Sequence, residues 1–128
     1  MQQEFTLACT RGDIRTAASL INKVDPSFQH NITIQAASGD GRLEVVRLLL
    51  TDPRVDPSDC NNYAIRWASE NGHLEVVRLL LTDPRVDLSN DNNHAIRMAR
   101  KNGHTKVVQL LTEHQFRLDG PEYNKNIL

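Results

Sequence analysis

Apolar and polar positions along this chain follow two alternating short-helix patterns. In residues 63–70, Ala64, Ile65 and Ala68 lie three or four apart, a small apolar face that predicts a short helix. Gly72 then allows a turn that needs a positive φ. Residues 74–82 hold six aliphatic side chains in nine positions. That is too many for a single buried stripe, so this second helix must be covered on more than one side. Pro84 stops it. Val86-Asp87 and the run from Asn90 to Asn93 make a turn into the next unit.

The pattern repeats. Gly41, Gly72 and Gly103 are spaced by 31 residues, and residues 43–55 read the same as residues 74–86. Residues 106–111 echo the second helix again, and residues 8–14 are a worn copy of residues 37–43. Val24-Asp25-Pro26-Ser27, Val55-Asp56-Pro57-Ser58 and Val86-Asp87-Leu88-Ser89 keep the same spacing of 31. Gly12 to Gly41 is only 29, because Asn22-Lys23 stands where later units have Thr51-Asp52-Pro53-Arg54 or Thr82-Asp83-Pro84-Arg85. One helix pair cannot bury its own apolar surface, whereas stacked pairs can. Different positions turn polar at the two ends: Thr16 and Ser19 in the first unit, Thr105, Gln109 and Thr112 in the last. That predicts a four-unit array whose outer members are caps. The expected boundaries are 1–27, 28–58, 59–89 and 90–114, with a tail at 115–128. Phe116 and Leu118 are expected to fold back over the last pair, and residues from 120 onward to be mobile.

Composition narrows the function classes. Net charge is −1, so no global basic field draws the chain to nucleic acid or an anionic membrane. The longest apolar runs are three leucines, at 48–50 and 79–81, far short of a membrane span. No basic segment followed by an apolar run opens the chain, so no secretory signal is expected. The two cysteines, Cys9 and Cys60, lie in non-adjacent units, which fits a reducing intracellular setting, the cytoplasm.

The run Gly-His-Leu-Glu-Val-Val-Arg-Leu-Leu-Leu at 72–81 resembles the second-helix signature of the ankyrin repeat. Trp67-Ala68-Ser69-Glu70-Asn71 is similar to the family's first-helix ending, and the likeness covers residues 4–114. Two features depart from the family. Its Thr-Pro-Leu-His becomes Tyr63-Ala64-Ile65-Arg66, His94-Ala95-Ile96-Arg97 and Ile32-Thr33-Ile34-Gln35. The period is 31, against about 33 for the family, and the missing residues fall in its projecting fingers. The resemblance implies an all-α solenoid of four helix-turn-helix units with short β-turn fingers. It also implies a non-catalytic module that binds another protein on a concave surface of finger tips and first-helix faces. No cofactor is implied. The family's contact positions carry over to Arg11, Gln35, Asp40, Asp59, Asn62, Arg66, Glu70, Asn71, Asp91, Asn93, Arg97, Lys101 and Asn102.

Each feature has competing readings. Arg66 and Arg97 could grip carboxylates or phosphates on a partner, or tie their own turns to the neighbouring ones. With Lys101 and Arg100 they could form a patch for an acidic ligand or a nucleic-acid backbone. Acidic Glu70, Asp59 and Asp91 nearby and the lack of interleaved aromatics disfavour nucleic acid. Trp67 aligns with Leu7, Ala36 and Met98, an apolar series that reads as core between repeats. His73, His94 and His104 lack ligands at metal spacing. No nucleophile has a base beside it, and no phosphate loop or nucleophile elbow occurs. The chain therefore reads as a monomeric protein-binding module. A self-associating scaffold is the alternative.

Overall fold

A computed structural model describes residues 1–88 and 93–118, with side chains through Gln115. The helices come in pairs: α1 (Gln2–Arg11) with α2 (Ile14–Leu20), α3 (Phe28–Gly39) with α4 (Leu43–Leu50), α5 (Asp59–Glu70) with α6 (Leu74–Leu80), and α7 (His94–Lys101) with α8 (Thr105–Leu118). A 3-10 turn at Ile21–Lys23 continues α2, and the described residues contain no β-strand. First helices pack in the order α1, α3, α5, α7, and second helices in the order α2, α4, α6, α8. The architecture is the expected all-α repeat solenoid. α8 runs on to Leu118, past the boundary at 114/115 that the loss of register suggested. The expected docking of the Phe116 and Leu118 side chains, and the mobility expected from 120 onward, lie outside the described residues.

The core lies between the two layers. Ile34 and Ile65 come from the first helices, while Val46, Leu49, Val77, Leu80, Val107 and Leu111 come from the second. Val45 and Val76 are buried as well, so the second helices are covered on more than one side, as their composition requires. Each such side chain contributes about 1.5–3 kcal/mol relative to exposure. Most of that burial needs a neighbouring pair, which explains why the unit does not stand alone.

Glycine closes each helix pair and also makes room for the next. At Gly72 the backbone has φ +77, and the N–H of His73 returns to the Ala68 carbonyl at 3.0 Å. The His104 ring covers this glycine so closely that an added Cβ would lie 2.4 Å from Nδ1. His73 covers Gly41 in the same way. The histidine of one unit is thus packing material over the turn of the preceding unit.

The four-residue loops that replace Asn22-Lys23 in the later units are held by their arginines. Arg54 bonds the Asp52 carboxylate through Nε (3.0 Å) and Nη2 (2.8 Å). It also reaches back to the Val24 and Ile21 carbonyls at 3.1 and 3.3 Å. Arg85 grips Asp83 likewise, at 2.9 Å. These side-chain bonds hold both carboxyls below the ordinary carboxylate value and raise the arginines.

The fingers are short, as the period implies, and their backbone is unusual. Asp25 and Asp56 each accept from the N–H and hydroxyl of the serine two residues on, a tight turn before the first helix. A left-handed turn follows. Gln29, His30 and Asn31 have φ of 53, 56 and 63, and Cys60, Asn61 and Asn62 have 56, 58 and 61. Asn93 keeps the same conformation, φ 60, ahead of α7. The N–H of Asn31 bonds the Ser27 carbonyl at 3.0 Å, and that of Asn62 bonds Ser58 at 2.9 Å. Right-handed helix resumes at residues 32 and 63. Left-handed geometry costs non-glycine residues about 1–2 kcal/mol each, so other bonds must hold it in place.

Candidate functional site

Carboxamides supply those bonds. Asn31 lies inside the protein: its Oδ1 accepts from the Asp56 N–H at 2.8 Å, and its Nδ2 donates to Asp59 Oδ2 at 2.9 Å. Asn62 donates from Nδ2 to the Asp87 carbonyl at 2.8 Å. Gln2 does the same for the first unit, donating to the Asp25 carbonyl at 3.0 Å and accepting its N–H at 3.1 Å. In the first three units, one primary amide at the first-helix start therefore pins the Val-Asp backbone that ends its unit.

This ladder changes the place of several residues expected to face a partner. Asn62 is only 7% exposed and Gln35 only 5%, so both are internal struts and leave the partner-facing set. Gln35 Nε2 bonds the His30 carbonyl at 2.9 Å, closing the left-handed turn from inside. Arg66 occupies the same position one unit on. Its Nε and Nη2 bond the Asn61 and Cys60 carbonyls at 3.0 and 3.2 Å. The guanidinium also lies 5.4 Å from the Tyr63 ring centre. Arg66 thus closes its own turn, with these bonds staying inside its unit and not crossing to the neighbouring turn as one reading expected. Asp59 is likewise engaged, accepting from Asn31 and from the Cys60 N–H at 2.8 Å.

A second set of amides links first-helix ends. Asn71 Nδ2 donates to the Gly39 carbonyl at 2.9 Å, and Asn102 Nδ2 to the Glu70 carbonyl at 3.0 Å. Each satisfies a helix-end carbonyl of the preceding unit. Arg11, Asp40, Asn93, Arg97 and Lys101 are exposed, and Glu70 is half-buried. Asp91 lies outside the described residues.

Helical spacing sets out the exposed side of the first-helix layer. One row runs Gln3, Ile32, Tyr63, His94; another places Glu70 beside Lys101, and a third Arg66 beside Arg97. Trp67 is half-buried, with its ring over Gly39, where an added Cβ would lie 2.3 Å from Cδ2. Tyr63 meets it edge-on at 5.5 Å. Trp67 thus belongs to the seam between α3 and α5. At the N-terminal end Leu7, Phe28 and Ile32 line an open groove of about 400 Å3. The sequence reading missed this groove; the signal was three bulky apolar residues at positions without an inward partner.

Cys9 is buried, and burial pushes its thiol up to about 11. Cys60 is exposed at the left-handed turn. No helix among the described residues is long and apolar enough to cross a membrane.

A family model described as ankyrin repeats, in three copies, matches residues 5–92. None of the curated proteins compared matches the chain. The match spans the first three helix pairs, and α7 with α8 continues the same packing beyond it. With stacked helix pairs, glycine-closed turns and this match together, the chain belongs to the ankyrin-repeat family.

Proposed function

We propose that this protein is a non-catalytic module that holds a partner protein on the exposed side of its first helices, the concave side in the family's arrangement. One observation carries the reading. Of the six large hydrophobic residues exposed among the described residues, four (Leu7, Phe28, Ile32 and Tyr63) belong to the first-helix side. Bulky apolar side chains exposed together on one side of a protein mark an interaction site. Ankyrin repeats are in general protein–protein interaction modules, which supports the coarse reading. The acidic and basic groups on this face, Arg97 and Lys101 above all, would set orientation and specificity. The module acts as a monomer, which light scattering on a sizing column checks.

The test is affinity capture from lysate read by mass spectrometry, comparing the wild type with Tyr63→Ser and with Arg97→Glu/Lys101→Glu. Circular dichroism verifies the fold of each. A protein retained by the wild type and lost from both variants supports the face. Equal retention by all three would sink it.

A further inference from the structure

The exposed side of the first-helix layer has a polarity along the stack. At Gln3, Thr6, Leu7 and Thr10 of α1 no charge occurs, and none occurs at the register-matched Ile32, Gln35, Ala36 and Gly39 of α3, of which Gln35 and Gly39 are buried; the exposed Arg11 stands at the far end of α1. α5 carries one base and one acid there, Arg66 and Glu70. α7 carries Arg97 and Lys101 with no acid anywhere along its length, and Arg100 adds a third exposed positive charge at its edge. Apolar exposure runs the other way. Leu7 is 50% exposed, Phe28 44% and Ile32 42%, all around the groove at the α1/α3 end. Gln2, Gln3, Thr6 and Gln29 complete the groove wall with neutral polar groups.

We infer that the ligand of this face is an extended peptide segment with a bulky apolar residue seated against Leu7, Phe28 and Ile32 and an acidic cluster lying over Arg97 and Lys101. The inference rests on the binding reading above and specifies the partner's chemistry. Charge complementarity decides the acidic end. The Arg97 guanidinium and the Lys101 ammonium are exposed on a helix that carries no acid, and they outnumber Glu70 on the neighbouring helix, so they attract carboxylates. The neutral groove decides the other end, because an apolar side chain loses no charge pairing there. Geometry sets the spacing. Packed helices lie about 8–10 Å apart, so the centre of the α1/α3 groove is about 20–25 Å from α7. An extended chain advances about 3.3–3.6 Å per residue, and the two features fall about six to eight residues apart. Tyr63, with Arg66 held over its ring, lies midway as a neutral-to-basic step. A nucleic-acid strand fits less well, because the residues lining the α1/α3 groove include no cation for its phosphates.

The experiment is selection of a displayed random 16-residue peptide library on the immobilised full chain. Selected peptides are then synthesised and their affinities measured by fluorescence polarisation. The expected result is enrichment of sequences with a leucine or aromatic residue about six to eight positions from two or more acids, always in the same order. Phe28→Ser/Ile32→Ser and Arg97→Glu/Lys101→Glu, each checked for folding, should weaken the same peptides at least tenfold. Only the second should remove the salt dependence. Peptides that need the face but show no acids or no fixed spacing overturn this inference and leave the binding reading standing. Peptides indifferent to both double variants, no enrichment at all, or tighter binding of a single-stranded oligonucleotide than of any peptide overturn both.

Discussion

Asn61 sits at φ +58 with its side chain in solvent, so the cost of its backbone can be measured apart from packing. Asn61→Val should destabilise the protein by about 1–2 kcal/mol, because a β-branched residue resists the left-handed region. Asn61→Gly should change stability by less than about 0.5 kcal/mol, since glycine relieves the strain and adds unfolded entropy. Urea unfolding of the two variants gives the comparison, and equal stabilities would exclude backbone strain as the cause. The thiols offer another contrast at this scale. Cys9 is buried with its thiol raised to about 11, while Cys60 is exposed. A thiol reagent at neutral pH should titrate one cysteine in the native protein and two in denaturant.

At the scale of elements, the struts between units carry sharper tests. Asn31→Asp would set a carboxylate where Nδ2 now donates to Asp59. The two facing carboxylates would repel, so the pair would take up its first proton at a raised pH in the folded state. The variant should lose about 2–3 kcal/mol at pH 7. Because the raised pKa means that the folded form gains a proton first, the loss should shrink as pH falls toward the unfolded value of about 3.9. Asn31→Leu should show no such recovery. Gly39 tests the seam. Alanine in a helix usually gains about 1 kcal/mol over glycine, yet here its Cβ would lie 2.3 Å from Trp67. Gly39→Ala should therefore destabilise the wild type and stabilise a Trp67→Ala background, a sign change that a double-mutant cycle reads directly. These elements also show what the sequence made legible. Helix pairs and their phase follow from aliphatic spacing and glycine, because burial and backbone chirality constrain residue type. Asn62 and Gln35 were misplaced because a polar amide reads alike whether it meets solvent or a buried carbonyl. The left-handed turns escaped notice because Gln29-His30-Asn31 and Cys60-Asn61-Asn62 contain no glycine. The recurrence of asparagine at 31, 62 and 93, with aspartate at 56 and 87, was the available signal.

For the whole molecule, stability is passed from unit to unit through loop arginines, amides and stacked helices. The Asp52 and Asp83 carboxyls lie below their ordinary value of 3.8 through bonding to Arg54 and Arg85. A lowered folded pKa contributes stability above the unfolded value and loses it as pH falls through the folded one. Asp52→Asn/Asp83→Asn should thus lower the unfolding midpoint at pH 7 and flatten its decline in acid below pH 3.8, read by thermal denaturation across pH. The amide ties at first-helix ends have a further result that concerns time. Asn71-Gly72 and Asn102-Gly103 are sequences prone to spontaneous deamidation, since glycine leaves its nitrogen unhindered to attack the side-chain carbonyl and expel ammonia. In the folded chain those nitrogens bond the Ser69 and Arg100 carbonyls at 3.2 and 3.1 Å. The asparagine amides are themselves held at Gly39 and Glu70. Ageing at these two sites must wait for the stack to open, so isoaspartate accumulating there would record how often neighbouring repeats part.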